Sequence, residues 1–278
     1  MLNLISDSSC DLRAFELSGP QVRLQVIPMH LHIDHKDFPD DENLNLREML
    51  EAMAKAPSST ACPSPQAFAD AFAQGDESIC VTISSPLSGT YQAAVMTRDM
   101  FREEHPEAKL NIHIIDSRTY SMGYGMAVVE AARMARSGAA PEAIIAHIED
   151  WVAYTRPVFV PMNLKCVKKS GRISPAAAFV GDAIGLKPLI TFEDGEAKIL
   201  SKVRGEHKAI AALVDICMKE RRPGTSYCLV HGKNQETFEQ LKAACAQVMD
   251  QPPMAEYEVG CIIGINTGPD IVGILYRK

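Results

Sequence analysis

Short apolar runs alternate with amphipathic stretches along the first half of the chain. Four runs are long enough for buried strands: Leu2 to Ser6, Val22 to Ile33, Ile79 to Ser84 and Leu110 to Asp116. Between them, helical periodicity covers Thr90 to Glu104 and Met122 to Ser137. Ser64-Pro65, before residues 66–74, has the form of a helix N-cap followed by the first helical residue. This alternation predicts an α/β fold whose mostly parallel sheet is covered by helices.

From Pro157 onwards the pattern mixes strands, hairpins and helices. Asp194-Gly195 lies between two β-rich runs and predicts a tight hairpin turn. Amphipathic periodicity predicts helices over Glu206 to Glu220 and Gln235 to Met249. The predicted strands of this half are Val158 to Asn163, Leu189 to Phe192, Ala197 to Val203, Tyr227 to Val230, Tyr257 to Ile265 and Ile271 to Tyr276, and a short helix is predicted through Ile184. We therefore expect an N-terminal α/β domain over residues 1–156 and a C-terminal α+β domain over residues 157–278.

Composition and charge exclude several classes of protein. The 278 residues are 46% hydrophobic and 23% charged, as in globular proteins, and no apolar run approaches the length of a membrane span. The net charge of -7 provides no basic field for a phosphate backbone. The first seven residues include no basic residue and end on Asp7, unlike a signal peptide. We expect a cytoplasmic protein with no nucleic-acid partner and no stable membrane insertion.

Cysteines and histidines offer few candidates for a metal site. The eight cysteines are scattered without a C-x-x-C pair, so we expect most of them to be reduced and buried. Period-two spacing places His30 and His32 on one face of a strand, as in some metal sites. The alternative is an ordinary polar strand face followed by a turn, and no third ligand is evident. We therefore predict no metal.

Hydroxyl-bearing segments occur at predicted strand ends and helix starts. They are Asp7-Ser8-Ser9, Ser58-Ser59-Thr60, Ser84 to Thr90 and Asp116-Ser117. In a doubly wound sheet such loops converge on one crevice. A hydroxyl beside a helix N-terminus can bind an anion, although serine, threonine and aspartate are also the ordinary N-cap residues. The sequence leaves both interpretations open.

Familiar catalytic and nucleotide motifs are absent. The chain contains neither G-x-x-x-x-G-K-[ST] nor G-x-G-x-x-G, and Gly123-Tyr124-Gly125 is a lone G-x-G in a predicted helix start. The nucleophile elbow G-x-S-x-G is also absent, and Ser88 has no histidine near it in sequence. A small anion such as a carboxylate, held by hydroxyls and backbone N–H groups, is the favoured ligand. A serine-dependent acyl-transfer or phosphotransfer enzyme is the alternative.

The opening Asp7-Ser8-Ser9-Cys10-Asp11-Leu12 resembles the D-S-[ST]-x-D-L opening of the DegV family, the bacterial fatty-acid-binding proteins. Further matches follow in order along nearly the whole chain: Thr60 to Pro65, Ser84 to Gln92, Asp116-Ser117 with Ser121-Met122-Gly123, Gly171 to Ser174, Leu186-Lys187-Pro188, Lys202-Val203-Arg204 and Asn266 to Pro269. The segment S-S-x-L-S-G-T, beginning at Ser84, is the most specific of these.

The resemblance implies a two-domain protein that holds one long-chain fatty acid, palmitate-like or oleate-like, in the interdomain cleft. It implies that the protein has no catalytic activity and needs no cofactor. It also implies that the protein presents the fatty acid to a separate kinase, which makes acyl phosphate for phospholipid synthesis. Carried onto this chain, the carboxylate contacts are the hydroxyls of Thr60 and Ser88, with the N–H groups of Ala61 and Gly89 and the side chain of Asn266 as helpers. The expected acyl-chain lining is Met122, Phe159, Ile173, Phe179 and Ile263.

Basic residues near these segments are candidates for the partner surface. Arg172 and Arg204 come first, because a guanidinium suits bidentate recognition of a carboxylate or phosphate. The alternative is a solvated face around a hairpin.

Three positions depart from the family pattern. Ala61 replaces a serine, so one hydroxyl is missing, and Asn266 replaces a histidine, so this position cannot become cationic. Asp270 replaces a glycine and would oppose a bound carboxylate if it faced one. A family member with a changed ligand is therefore a further possibility.

Overall fold

The computed structural model describes residues 1–12, 18–107, 110–162, 164–172 and 185–278, and its contacts divide the chain into two units, Met1–Ala153 and Tyr154–Lys278. The strands of the first unit are β1 (Leu2–Asp7), β2 (Val22–Ile27), β3 (His30–Ile33), β4 (Lys36–Pro39), β5 (Ser58–Ala61), β6 (Glu77–Thr82) and β7 (Asn111–Asp116). Its helices are α1 (Leu46–Lys55), α2 (Pro65–Phe72), α3 (Thr90–Glu104), α4 (Met122–Arg136) and α5 (Pro141–Tyr154), whose last residue opens the second unit.

The first unit is built on a parallel four-stranded sheet. Its strand order is β2-β1-β6-β7, and every pairing is parallel. All six residues of β1 are buried, as expected for a central strand covered on both faces. In this strand order β2, which follows β1 in the chain, lies on one side of β1, and β6 lies on the other side. The strand order therefore reverses between β1 and β6, which makes this position a topological switch point. The predicted mostly parallel sheet is confirmed.

A second, antiparallel sheet of the first unit corrects two predictions. The apolar run Val22 to Ile33 is two strands in different sheets, since Pro28 lacks the N–H that a continuous ladder would need and separates β2 from β3. The small sheet has the order β4-β3-β5. Ser58-Ser59-Thr60, predicted as a loop at the edge of the parallel sheet, instead belongs to β5, where its backbone pairs with β3.

Local sequence signals correctly predicted three helices of the first unit, α2, α3 and α4. Ser64 Oγ accepts a hydrogen bond from Ala67 N at 3.2 Å, and Pro65 is the first residue of α2, as predicted. The helix α3 packs on α2, and both cover the sheet through a buried cluster that includes Ile5, Phe68 and Phe72. The helices α1 and α5 were not among the predicted elements.

The second unit contains one mixed sheet with helices. Its strands are β8 (Thr155–Pro161), β9 (Leu186–Glu193), β10 (Glu196–Arg204), β11 (Tyr227–His231), β12 (Ala255–Glu258) and β13 (Ile271–Arg277), and its helices are α6 (Leu164–Ser170), α7 (Glu206–Glu220), α8 (Gln235–Val248) and α9 (Cys261–Thr267). The strand order is β10-β9-β8-β13-β11-β12, with β11 and β12 parallel and the other pairs antiparallel. The expected hairpin turn is confirmed, because Asp194 and Gly195 both have positive φ, of 51° and 82°.

One strand prediction in the second unit is wrong. Residues 257–265 were expected to form a strand, but β12 ends at Glu258 and α9 begins at Cys261. Gly260, with extended backbone, is the N-cap of α9, and Cys261 to Gly264 are all buried. A short continuous apolar run fits a buried strand and a buried helix equally well, so periodicity could not distinguish them. The predicted helix through Ile184 lies outside the described residues.

Each unit has its own hydrophobic core. In the second unit α7 and α8 pack on the sheet around fully buried side chains that include Leu213, Leu229 and Leu241. None of the eight cysteines is in a disulfide and six of them are buried, which confirms that most are reduced core residues. Among the described residues, no helix combines the length and apolar character needed to cross a membrane.

Candidate functional site

The carboxyl edge of the parallel sheet gathers three of the four hydroxyl-bearing segments. Asp7, at the end of β1, is fully buried, and its Oδ2 accepts a hydrogen bond from Ile83 N, just beyond β6, at 2.8 Å. Its Oδ1 accepts from Ser9 N at 3.1 Å, from Ser9 Oγ, and from Tyr124 Oη at 2.9 Å. Burial raises the pKa of the Asp7 carboxyl, and these hydrogen bonds oppose the rise. The carboxylate therefore joins the loops at the switch point.

The loops after β6 and β7 are joined in the same way. Asp116, at the end of β7, accepts from Ser85 N at 3.0 Å through Oδ1 and from Ser85 Oγ at 2.6 Å through Oδ2. Ser84 N donates to Thr119 O at 3.0 Å. Ser117 Oγ donates to Thr119 O at 3.1 Å, which closes the β7 loop on itself. These contacts confirm that the three loops converge, as a doubly wound sheet requires.

The start of α4 closes over the loop after β1. Ser121 N donates to Ser9 O at 3.0 Å, and Ser121 Oγ donates to Asp11 Oδ2. Ser121 itself has φ 54° and ψ -145°, a backbone conformation that few residues other than glycine adopt. A Cβ added at Gly125 would lie 2.3 Å from Cys10 O, so α4 comes this close only because position 125 is glycine.

Ser88 and Gly89 lie at the N-terminus of α3, where free N–H groups and the helix dipole favour an anion. Ser88 is half-buried, and its N–H donates to Ser84 O at 3.1 Å. Its Oγ shares a hydrogen bond of 2.8 Å with Thr90 Oγ1 and accepts from Thr90 N at 3.4 Å. Gly89 is exposed, with open space where a Cβ would stand. The partners of the Ser88 hydroxyl are therefore another hydroxyl and a backbone amide, neither of which is a general base.

Thr60 and Ala61 are the last two residues of β5. Thr60 pairs with the fully buried Leu31, whereas Ala61 pairs with His30. Because side chains alternate along a strand, Thr60 and Ala61 project from opposite faces of this sheet. The half-buried Thr60 hydroxyl and the Ala61 methyl group therefore have different surroundings.

Asn266 and Asp270 belong to the second unit. Asn266 is half-buried on α9, and its Nδ2 donates to Ile262 O, one turn earlier, at 2.8 Å. Asp270 follows α9, and its backbone oxygen accepts from Met162 N at 2.7 Å. The helix α9 packs against α6, which carries Lys168 and Lys169.

Arg172 and Arg204 are exposed residues of the second unit. Arg172 follows α6, and its Nη1 donates to Ser170 O at 2.5 Å. Arg204 ends β10, where its backbone pairs with Leu186. Both side chains are therefore available to solvent in this unit.

The histidine pair has an ordinary polar partner. His30 Nδ1 and His32 Nδ1 lie 2.9 and 3.2 Å from the two carboxylate oxygens of Asp37, on the neighbouring strand β4. The shared strand face is confirmed. Across the described residues, no group of three or more histidine, cysteine, aspartate or glutamate side chains is arranged to hold a metal ion.

The expected acyl-chain lining divides between the units. Met122 is fully buried in the first unit, and Phe159 and Ile263 are buried in the second, where Phe159 stacks on Phe192 with ring centroids 6.0 Å apart. Ile173 and Phe179 lie outside the described residues. The role of all five residues as acyl-chain lining stays a prediction.

A pocket of about 220 Å³ opens beside Ser8. Its other lining residues are Leu12, Val26, Asp40, Asp41, Glu42 and Asn43. Three carboxylates make this wall unsuitable for an anionic head group, because like charges repel. The start of α3 therefore suits an anion better than this pocket does.

Sequence reasoning missed the central role of Asp7 and Tyr124. Asp7 was named only as part of the segment Asp7-Ser8-Ser9 and of a family-like motif, and Tyr124 only as the middle of a lone G-x-G. The available signal was an acidic residue directly after an apolar strand, since a buried carboxylate needs several donors and must be met by other loops.

Comparison with known proteins places this architecture in a family. A family model described as "Uncharacterised protein, DegV family" matches residues 1–278. A DegV domain-containing protein of Caldanaerobacter subterraneus subsp. tengcongensis is 32% identical over 265 residues, which cover 91% of each chain. This match and the family model extend over both units.

Solved structures with the same fold are also found. A DegV family protein from Thermus thermophilus, described as fatty acid binding, matches with a TM-score of 0.85 and 25% identity, covering 100% of this chain and 99% of its own. The Fatty Acid Kinase (Fak) B3 protein of Streptococcus pneumoniae, loaded with linoleic acid, matches with a TM-score of 0.89 and 23% identity over 99% of both chains. The conserved architecture, the loops at the switch point and the whole-length family match together establish that the chain belongs to the DegV family.

Proposed function

We propose that the protein binds one long-chain fatty acid as a carrier and performs no chemistry on it. The observation that carries this proposal is the start of α3, where the Ser88 hydroxyl and free N–H groups can hold a carboxylate and where none of the described residues contacts Ser88 as a base. The Thermus thermophilus relative, described as fatty acid binding, supports the same function.

The energetics of such a ligand favour neutral donors. Burying about fourteen methylenes at roughly 0.8 kcal/mol each contributes about 11 kcal/mol before entropic costs. The contacts to the head group then have to orient the ligand and need contribute little of the binding free energy. The proposed donors are the hydroxyls of Thr60 and Ser88 and the N–H groups of Ala61 and Gly89. Hydroxyls can also accept, so they suit a carboxylate and a protonated acid alike.

Two of the departures from the family pattern, Ala61 and Asn266, leave hydrogen-bonding groups of the proposed site in place. Ala61 projects from the face of β5 opposite Thr60. The absence of a hydroxyl at position 61 therefore removes no hydrogen-bonding group from the face that carries Thr60. One Nδ2 proton of Asn266 is engaged by Ile262 O, and the other proton and Oδ1 remain for a ligand. Because an amide is neutral at every pH, Asn266 adds no charge-linked pH dependence to head-group binding.

The proposed partner is a separate fatty acid kinase in the cytoplasm. Arg172 and Arg204 are exposed and can form bidentate contacts with carboxylates or phosphates of that partner. The name of the Streptococcus pneumoniae relative, Fatty Acid Kinase B3, supports this assignment. A reducing compartment agrees with eight cysteines that form no disulfide.

Native mass spectrometry of the purified protein, followed by extraction of bound material, tests the carrier function. We expect a stoichiometric species that releases a C16 or C18 fatty acid. A protein that stays ligand-free after incubation with palmitate and with oleate would contradict the proposal. Ester hydrolysis abolished by Ser88→Ala would favour a serine-dependent acyl-transfer enzyme instead.

Two substitutions test the head-group contacts. Thr60→Val and Ser88→Ala should each weaken fatty-acid binding by a few tenths to about 2 kcal/mol, the usual range for one net hydrogen bond. Ser59→Ala is the matched control for Thr60, because Ser59 is exposed and projects from the opposite face of β5. Isothermal titration calorimetry that finds wild-type affinity in both variants would exclude these contacts.

A further inference from the structure

The Asp7 carboxylate is the meeting point of three chain segments at the switch between β1 and β6. It accepts from Ile83 N in the segment after β6, from Ser9 in the loop after β1, and from Tyr124 Oη on α4. All of these groups can donate at once only to an acceptor with several lone pairs, and a carboxylate is such an acceptor.

A short chain of contacts connects Asp7 to the start of α3. Ile83, whose N–H is held by Asp7, is followed by the fully buried Ser84. Ser84 N donates to Thr119 O, and Ser84 O accepts from Leu87 N at 3.0 Å and from Ser88 N at 3.1 Å. The N–H of Ser88 is therefore held by Ser84, the residue directly after Ile83, whose own N–H donates to Asp7.

We propose that Asp7 is a positioning residue for the candidate site: its buried carboxylate fixes the segment Ile83–Thr90 and thereby places Ser88 and the N-terminus of α3 for the ligand. For the identity of the ligand, this inference rests on the proposed function. Asp7 does not itself contact the ligand.

The charge of Asp7 makes the inference testable by pH. Among the described residues, the titratable groups that face it are Cys10 beyond β1, Cys80 on β6 and Tyr124 on α4. Burial raises the pKa of both thiols and of Tyr124, so these groups stay neutral in acid and at neutral pH. Burial also raises the pKa of Asp7 above the ordinary range of a carboxyl, and the hydrogen bonds from Ser9 and Tyr124 lower it. Of these groups, only Asp7 titrates on the acid side.

The experiment compares Asp7→Asn, Tyr124→Phe and Ser6→Ala with the wild type. Asp7→Asn keeps the size of the side chain but turns one acceptor into a donor that faces other donors. Tyr124→Phe removes a single hydroxyl from the same carboxylate. Ser6→Ala is the matched control, because Ser6 is equally buried on β1 and its Oγ donates to Val81 O on the neighbouring strand at 3.0 Å, whereas the hydrogen bonds described for the Asp7 carboxylate come from Ser9, Ile83 and Tyr124.

Oleate affinity is the first measurement. We expect Asp7→Asn to weaken oleate binding by about tenfold or more and Tyr124→Phe by about two- to fivefold, since hydrogen bonds to a charged group are stronger than neutral ones. Ser6→Ala should keep the wild-type affinity even if it lowers the melting temperature. Wild-type affinity in folded Asp7→Asn, or an equal loss in Asp7→Asn and Ser6→Ala, would overturn the inference.

The second measurement is a pH titration of backbone amide resonances by NMR in the ligand-free protein. The Ile83 and Ser88 amides should shift together with one pKa above the ordinary carboxyl value, and Tyr124→Phe should raise that pKa. An Ile83 resonance that does not respond to pH would overturn the inference. The NMR titration needs no ligand, so it tests the role of Asp7 even if the wild-type protein binds no fatty acid. Absence of fatty-acid binding by the wild type would refute the proposed function and would leave the role of Asp7 to the NMR result. If Asp7→Asn does not fold, oleate affinity and the NMR pH titration are both measured with Tyr124→Phe.

Discussion

At the scale of single residues, the candidate site depends on how closely α4 approaches the loop after β1. Cys10 O lies against Gly125, and Thr119 Oγ1 lies against Gly123, where a Cβ would come within 2.5 Å of it. The first contact is with backbone and the second with a side chain that can turn away. Gly125 is therefore the less replaceable of the two glycines.

We predict that Gly125→Ala destabilises the protein by about 3 kcal/mol or more, because the new methyl group forces α4 away from Cys10 O. Gly89→Ala is the control, with φ -70° and open space around the Cβ position, and should be neutral or stabilising by up to about 1 kcal/mol. Urea denaturation of both variants measures the difference. Equal stabilities would show that α4 has room to move.

Residue-scale prediction succeeded where the signal was local. Ser64 and the Asp194-Gly195 turn behave as expected, because a cap or a turn depends on neighbours within a few positions. The G-x-G at Gly123 could not be interpreted in this way. Its role depends on Cys10 and Thr119, and the contact with Cys10 is more than a hundred positions away in sequence.

At the scale of elements, capping and strand breaks decide where helices and strands begin. The helix α2 starts because Ser64 Oγ accepts from Ala67 N and Pro65 needs no hydrogen-bond acceptor. The boundary between β2 and β3 is set by Pro28. The apolar residues of α9 contained no comparable signal, so a helix was predicted as a strand.

We expect Ser64→Ala to lower the free energy of unfolding by about 1 kcal/mol, through the loss of the cap of α2. Ser64→Asp should retain most of that stability, because aspartate is also a good N-cap and its charge suits the helix dipole. Thermal unfolding followed by circular dichroism measures both. Equal destabilisation by the two substitutions would contradict the capping role.

At the scale of the whole molecule, the chain contains two units with separate cores. Ile5 is fully buried in the cluster of the first unit, and Leu229 is fully buried in that of the second. The buried side chains described for each cluster all belong to one unit. The two cores should therefore respond separately to mutation.

We predict that Ile5→Ala and Leu229→Ala each cost about 2–5 kcal/mol, felt mainly in the unit that carries the substitution. Hydrogen exchange should speed up in β1 and β6 for Ile5→Ala, and in β8, β11 and β13 for Leu229→Ala. Equal loss of protection in both units from either substitution would show that the two units unfold together.

The alternation of strands and helices, the cap of α2 and the hairpin turn could be predicted from the amino-acid sequence, because they follow from periodicity and from residues close together in the chain. Family membership could also be predicted, since short motifs recur in order along the chain. The loops that meet at Asp7 became known from the folded structure alone, because its donors Ile83 and Tyr124 are 76 and 117 positions away. The same holds for the strand Ser58–Ala61 and for the helix over residues 261–267. These outcomes depend on burial and pairing between distant segments, which local sequence patterns do not encode.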